Sequence, residues 1–304
     1  MYKEGNAAMQ PLKQEKIFTN HQLLTLLWPL IIEQTLSVLV GMADTVMVSS
    51  VGEAAISGVS LVDMINQLII TVFAALATGG AVVTSQYLGA KKPEQAARSA
   101  GQLVGLSALL GLAVAAFCLL TRRPMLRLLF GSITDDVMDA ALVYFTITAL
   151  SFPFLALYNA GAAIFRSTGN SAVSMKVSVI VNAINFCGNA ICIFVLGMGV
   201  EGVAIPTLIS RAVGAFIILG LATQHEYVLH ITPRSVTHLE GGIVKSILRI
   251  GIPSACENSL FQLGKGKARL LPAEANYSLI FLSFVVSLVV IALAAFVGGS
   301  MAYY

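Results

Sequence analysis

The stretch Trp28-Pro29-Leu30-Ile31-Ile32-Glu33-Gln34-Thr35-Leu36, running on to Asp44, decides the fold. It sets a proline and two carboxylates inside an otherwise apolar run long enough to cross a bilayer, for which about 20 residues suffice. An ionisable group at that depth costs on the order of 2.5–3.5 kcal/mol, so it marks a site or pathway, or else a polar contact that holds helices together. Glu33 and Asp44 are 11 residues apart. At about 100° per residue they return to within ~20° of one face, roughly 16 Å apart along the axis. The spacing predicts that both look into one interior. Pro29 lacks an N–H and crowds the carbonyl one turn back, so a hinge is expected there.

Composition agrees with this reading. The chain has 304 residues, 57% hydrophobic and 11% charged, with mean hydropathy +0.85. Soluble domains run near 25% charged, so an all-α polytopic helix bundle embedded in lipid is expected. A formal charge of +3 argues against a nucleic-acid partner. Cys118, Cys187, Cys192 and Cys256 lie in apolar runs without a C-x-x-C pair, and no histidine falls at ligand spacing. No metal site, cofactor or disulfide framework is expected. Without a nucleophile–base pairing or a Gly-rich phosphate loop, the chain reads as something other than an enzyme.

In chain order, residues 1–22 are a polar N-terminal segment, and six spans fill 23–223, at 23–48, 55–84, 99–120, 138–161, 173–196 and 203–223. Asp63, Asn66 and Gln67 share a face of span two, either merely wetted or functional. Gly101 and Gly105 form a G-x-x-x-G suited to close helix approach. Arg122, Arg123 and Arg127, followed by Asp135, Asp136 and Asp139, read as a loop. In span five, Asn182, Asn185 and Asn189 fall at i, i+3 and i+7 on one face. Amides in a membrane need partners, which makes the stripe either interhelical glue or a polar wall opposite the span-one carboxylates. Arg211 in span six is open to a buried ion pair or to snorkelling.

A polar linker, 224–244, leads to a repeat of the opening pattern: Pro253-Ser254-Ala255-Cys256-Glu257-Asn258-Ser259-Leu260, offset by 224 residues from Pro29. Internal repeats with proline-interrupted segments at matching positions are a transporter signature. Pro253 and Glu257 become the counterparts of Pro29 and Glu33, and 245–264 the start of a second lobe. The repeat stops there, for the counterpart of Asp44 is Ala268, and 265–304 holds an unmatched apolar run at 278–302. Seven or eight spans are expected in all.

Basic residues orient the bundle. With the N-terminus cytoplasmic, Lys3, Lys13, Lys16, Lys91, Lys92, Arg98, Arg166, Lys176, Arg234, Lys245 and Arg249 lie inside, against Arg122, Arg123 and Arg127 outside. Lys265, Lys267 and Arg269 then oppose a crossing by 245–264, which is expected as a re-entrant or surface helix unless contacts with the first lobe hold it across.

These residues resemble the multidrug and toxic compound extrusion (MATE) family. The match takes in the Pro-x-x-x-Glu of span one with Met42 to Val48, and Gly79-Gly80 through Tyr87-Leu88-Gly89. It continues with Arg166 to Asn170, Asn185 to Asn189, Gly199 to Ala204, and Gly251-Ile252-Pro253 with Glu257. It covers about residues 20–264. The resemblance implies two six-helix lobes with alternating access in the plasma (inner) membrane, exporting small organic cations in exchange for H⁺ or Na⁺. It makes Asp44 the first-lobe coupling carboxylate and Asn185 and Asn189 the span-five polar positions. Some family members carry Asp where this chain has Asn189. Glu33, Asn182 and Tyr144 are expected around this site, and Glu257 joins if a partner, such as a second copy in a homodimer, completes the second lobe. The chain reads as one lobe plus the start of the next, an antiporter or a truncated, inactive form of one. A non-transporting scaffold or degenerate fragment is the alternative of a different class. A lipid-linked oligosaccharide flippase is the other, and its cavity is expected to be more basic.

Overall fold

The computed structural model describes residues 20–131, 133–224, 229, 231–237 and 240–267. These are helical almost throughout, without a strand. The helices are α1 (Asn20–Ser49), α2 (Glu53–Gly89), α3 (Pro93–Phe130), α4 (Asp135–Ser167), α5 (Ser171–Ala190), α6 (Glu201–Ala222), a short α7 (Pro233–Thr237) and α8 (Gly241–Lys267). A π turn, Ile191–Val195, extends α5. Helices α1 to α6 are long and apolar enough to cross a membrane.

The basic cluster expected in a loop is helical instead. α3 runs on past Arg122, Arg123 and Arg127, through Pro124, to Phe130. Arg122 donates to Thr146 of α4 at 2.8 Å, which gives that helical end a polar neighbour. Asp135 and Asp136 sit in the first turn of α4, where carboxylates favour the positive end of the helix dipole. Gly131 ends α3 with φ +66°, a conformation that side chains resist.

α2 and α4 form the centre of the bundle. Phe73 and Phe152 meet edge-on at 6.4 Å between ring centroids, and Phe145, Ile65, Ile69 and Leu103 are fully enclosed around them. α3 and α6 flank this pair, and α1 lies at the margin, packed mainly on α5. Its other face leaves Leu27, Trp28, Ile31, Val38, Leu39, Met42 and Val46 exposed. Gly101 admits Ser235 of α7 rather than a second membrane helix, so half of the G-x-x-x-G serves a connection.

The 224–244 linker is shorter than expected. It contains α7, and α8 begins within it at Gly241. α8 is one continuous helix, and it runs antiparallel along α2. A Cβ at Gly79 would meet the Ile247 carbonyl and the Gly251 nitrogen, while one at Gly251 would meet Leu76 and Ala75. Ile243, Val244, Ile247, Leu248 and Ala255 are buried on the same face. α8 carries Lys245, Arg249 and Glu257 and is not among the helices apolar enough to span by composition. Contacts with the first lobe therefore hold it beside a spanning helix. The apolar run at 278–302, Arg269 and Ala268 lie outside the described residues.

Candidate functional site

Two polar clusters interrupt the apolar bundle, and α1 contributes a carboxylate to each. The first gathers where α1 and α5 end and α2, α4 and α6 begin. Asn189 donates to Asp44 Oδ1 at 2.7 Å and lies 3.4 Å from Asn185 Oδ1. Asn185 in turn donates to Thr207 Oγ1 of α6 at 3.0 Å. Asn189 is fully enclosed, and its own Oδ1 has no hydrogen-bond partner. The π turn begins two residues after Asn189, at Ile191; insertions of this kind occur frequently at functional sites.

A second carboxylate joins this cluster from α2. Tyr144 donates to Asp63 Oδ1 at 3.0 Å, and Asn66 approaches the same oxygen at 3.3 Å. Asp63 is exposed, whereas Tyr144 and Asn66 are buried. The Asn66 Oδ1 is a second enclosed acceptor without a partner. Asp44 and Asp63 lie close enough to repel one another. Arg211 donates to Ser151 Oγ at 2.7 Å and acts electrostatically on Asp63 and Tyr144. It thus faces the interior and does not snorkel.

Glu33 occupies the other cluster. It accepts from Ser174 at 3.0 Å and pairs with Arg166 at 3.6 Å. Both α1 carboxylates do face α5, but they meet opposite ends of it. Asn182 turns back on its own helix, donating to the Ser178 carbonyl at 2.8 Å and reaching the Ser178 hydroxyl at 3.1 Å. Glu257 is exposed on α8 and joins neither cluster. Pro29 and Pro253 are each carried inside a continuous helix, and Pro29 is buried.

Of the residues singled out from sequence, the structure therefore brings together Asp44, Asn185 and Asn189, with Tyr144 beside them through Asp63. It separates Glu33, Asn182 and Glu257. Sequence reasoning left Thr207, Ser151 and the Tyr144–Asp63 pairing unassigned. The shared face of Asp63 and Asn66 was the one available signal, and only tertiary packing joins it to Tyr144.

Chemically, the first cluster offers two carboxylates and two unpaired amide oxygens, all acceptors of a positive charge. Among the described residues no group of three or more His, Cys, Asp and Glu is arranged to hold a metal ion.

Comparison with known proteins gives consistent matches. The MatE family model matches residues 29–191. The chain is 32% identical over 248 residues to the uncharacterized transporter YisQ of Bacillus subtilis (strain 168), covering 80% of this chain and 54% of that one. It is 29% identical to the probable multidrug resistance protein NorM of Thermotoga maritima, over 83% of this chain and 54% of that one. Among solved structures, it resembles a MATE protein in complex with MaL6 (25% identity, TM-score 0.74), covering 80% of this chain and 54% of that one. It also resembles an outward-facing multidrug resistance MATE transporter of the MOP superfamily (26% identity, TM-score 0.73), over 80% of this chain and 55% of that one. The chain spans about half the length of the relatives it matches.

Proposed function

The chain belongs to the MatE family, and on that premise we propose that it is the first lobe, with the opening helix of the second, of a secondary antiporter. Asp44 is the exchangeable site, binding either a small organic cation or the coupling ion, H⁺ or Na⁺. A carboxylate that holds one positive charge at a time couples the two by competition. Asn189 positions Asp44 by donating to Oδ1 and leaves its own oxygen for the incoming charge. Tyr144 does the equivalent for Asp63, which is exposed beside it.

The N-terminus is placed in the cytoplasm, in the plasma membrane, on the distribution of basic residues. Transport across the membrane needs a second lobe, supplied by further chain or by a second copy. The relation of α8 to α2 supports this, because α8 starts the repeated pattern while already seated on the first lobe.

The observation that carries this reading is the bond from Asn189 to Asp44 inside an apolar bundle. Ethidium binding to the purified chain, followed by fluorescence, tests it. Binding that is displaced by acid and weakened in Asp44→Asn is expected. Equal binding in the parent and Asp44→Asn would favour the scaffold alternative. Efflux from cells, measured with the same dye, then reports whether the chain transports.

A further inference from the structure

Three charged side chains share the first cluster, and one has the opposite sign. Arg211 of α6 joins Asp44 of α1 and Asp63 of α2, and Tyr144 is within electrostatic reach of all three. A guanidinium keeps its charge in a protein. Inside a membrane bundle such a group ordinarily pairs with a carboxylate or a backbone carbonyl. Arg211 pairs with no carboxylate, for the ion pairs among the described residues are Arg98 with Glu240 and Arg166 with Glu33. It is held instead by the neutral Ser151, at 2.7 Å.

One face of α4 keeps the opposite charges apart. Tyr144, Thr148 and Ser151 fall at i, i+4 and i+7 along it. Tyr144 holds Asp63, and Ser151, two turns and about 10 Å further along, holds Arg211. Thr148 between them bonds back to the Tyr144 carbonyl at 2.9 Å and bridges nothing. Both anchors are packed in the core, so neither charge is free to close the gap. Asp63 and Arg211 still act on one another through space. Arg211 also lies one turn beyond Thr207, which accepts from Asn185 of the Asp44 network.

Charges inside a bundle act over a longer range than screened surface charges, so a ligand there meets the net charge of the cluster. Two carboxylates alone would favour a ligand with two positive charges. Arg211 is a resident cation that balances one of them. We propose that Arg211 is a specificity-determining residue that limits the site to ligands with a single positive charge. The proposal rests on the reading of Asp44 as the exchangeable site. Asp63 has a permanent counter-charge in Arg211, whereas Asp44 is met by the neutral Asn189. A monovalent organic cation therefore neutralises the cluster. A dication overcharges it and is repelled by Arg211. The same balance makes the exchange one charge for one, so a single H⁺ or Na⁺ replaces a bound monocation.

The test uses the purified full chain and two dyes with one ring system, ethidium with one positive charge and propidium with two. Binding of each is followed by fluorescence at pH 8. The parent is expected to bind ethidium more tightly than propidium. Propidium is also larger, so the deciding quantity is the change in the ratio of the two affinities between variants. Arg211→Gln, which keeps a donor for Ser151, is expected to shift that ratio toward propidium by on the order of tenfold. Arg211→Lys keeps the charge and is expected to keep the parent's ratio. Arg211→Gln combined with Asp63→Asn returns the cluster to one net negative charge. It is expected to return the ratio too, which a merely structural loss would not do. Asp63→Asn alone is expected to shift the ratio the other way, and it serves as the test if Arg211→Gln does not elute as one species. Ethidium binding with a ratio unmoved by Arg211→Gln and by Asp63→Asn overturns the role of Arg211 and leaves the Asp44 reading standing. A double variant that behaves like Arg211→Gln alone overturns it equally. A parent that binds neither dye removes the cation site itself, and this proposal with it.

Discussion

Asn189 on α5 gives its amide proton to Asp44 on α1 at 2.7 Å, while its own carbonyl oxygen stays enclosed and unpartnered. The carboxylate is thus fixed by a neutral donor rather than neutralised by a cation. On the proposed reading of Asp44 as the exchangeable site, this leaves its charge for the incoming cation.

Replacing that charge is the most direct test. Asp44→Asn keeps the volume and offers an amide to Asn189, but it holds no charge. Hydrogen bonds to charged groups contribute about 1.5–3 kcal/mol, and each 1.4 kcal/mol is about tenfold in affinity. Ethidium binding is therefore expected to weaken roughly ten- to a hundredfold, with the variant still eluting as one species. Unaltered affinity would remove Asp44 from the site.

Tyr144→Phe keeps the buried ring and removes only the hydroxyl that reaches Asp63. Asn66 remains as a longer, 3.3 Å donor to the same oxygen. A loss of about 1–2 kcal/mol is expected, seen as a lower melting temperature of the detergent-purified chain. Adding Asp63→Asn should then produce less than the sum of the two single losses, because the pair acts as a unit.

Gly79→Val puts a Cβ within 2.6 Å of the Ile247 carbonyl. Overfilling a packed contact costs about 1–3 kcal/mol. The backbone on both sides is helical, so α8 is expected to lift from α2. Site-resolved thiol labelling reads this directly, since Cys256 lies on α8 and should react faster in the variant. Labelling at the parent's rate would mean that α8 is held by something other than this crossing.

Pro29→Ala restores a backbone donor in the middle of α1 and removes a ring that crowds the preceding turn. Cysteines placed at Leu27 and Val38, both exposed on α1, should change their labelling on ethidium addition in the parent and much less in the variant. Equal changes in both would leave Pro29 without a hinge role.

Much of this architecture is legible in the sequence because apolar runs and helical periodicity dominate it. Spans one to six each fall within α1 to α6 or their immediate ends, with α3 running ten residues past the end expected for span three. The three amides of span five declare a face by spacing alone. What the sequence does not carry is which polar groups on different helices meet. Asp63 and Tyr144 are 81 residues apart, and no periodicity relates them. Ser174 and Ser178 are likewise unremarked in the sequence, because serine commonly bonds its own helix in a membrane. Arg127 misleads for a different reason. Charge suggests a loop, but α3 is long enough to carry its last turns beyond the apolar zone. For α8 the packing of Gly79 on Ile247 and Gly251 is a contact that composition cannot register.

The attachment of α1 through α5 also sets a timetable. Asp44 and Asn189 are separated by 145 residues, and Glu33 and Ser174 by 141. At roughly 5–20 residues per second of synthesis, the first helix is made about 7–30 seconds before its partners exist. During that interval both carboxylates sit in the translocation channel or at the lipid boundary without their donors. α1 is therefore among the last helices to settle, and nascent chains that stop before Ser171 should leave it without its α5 contacts.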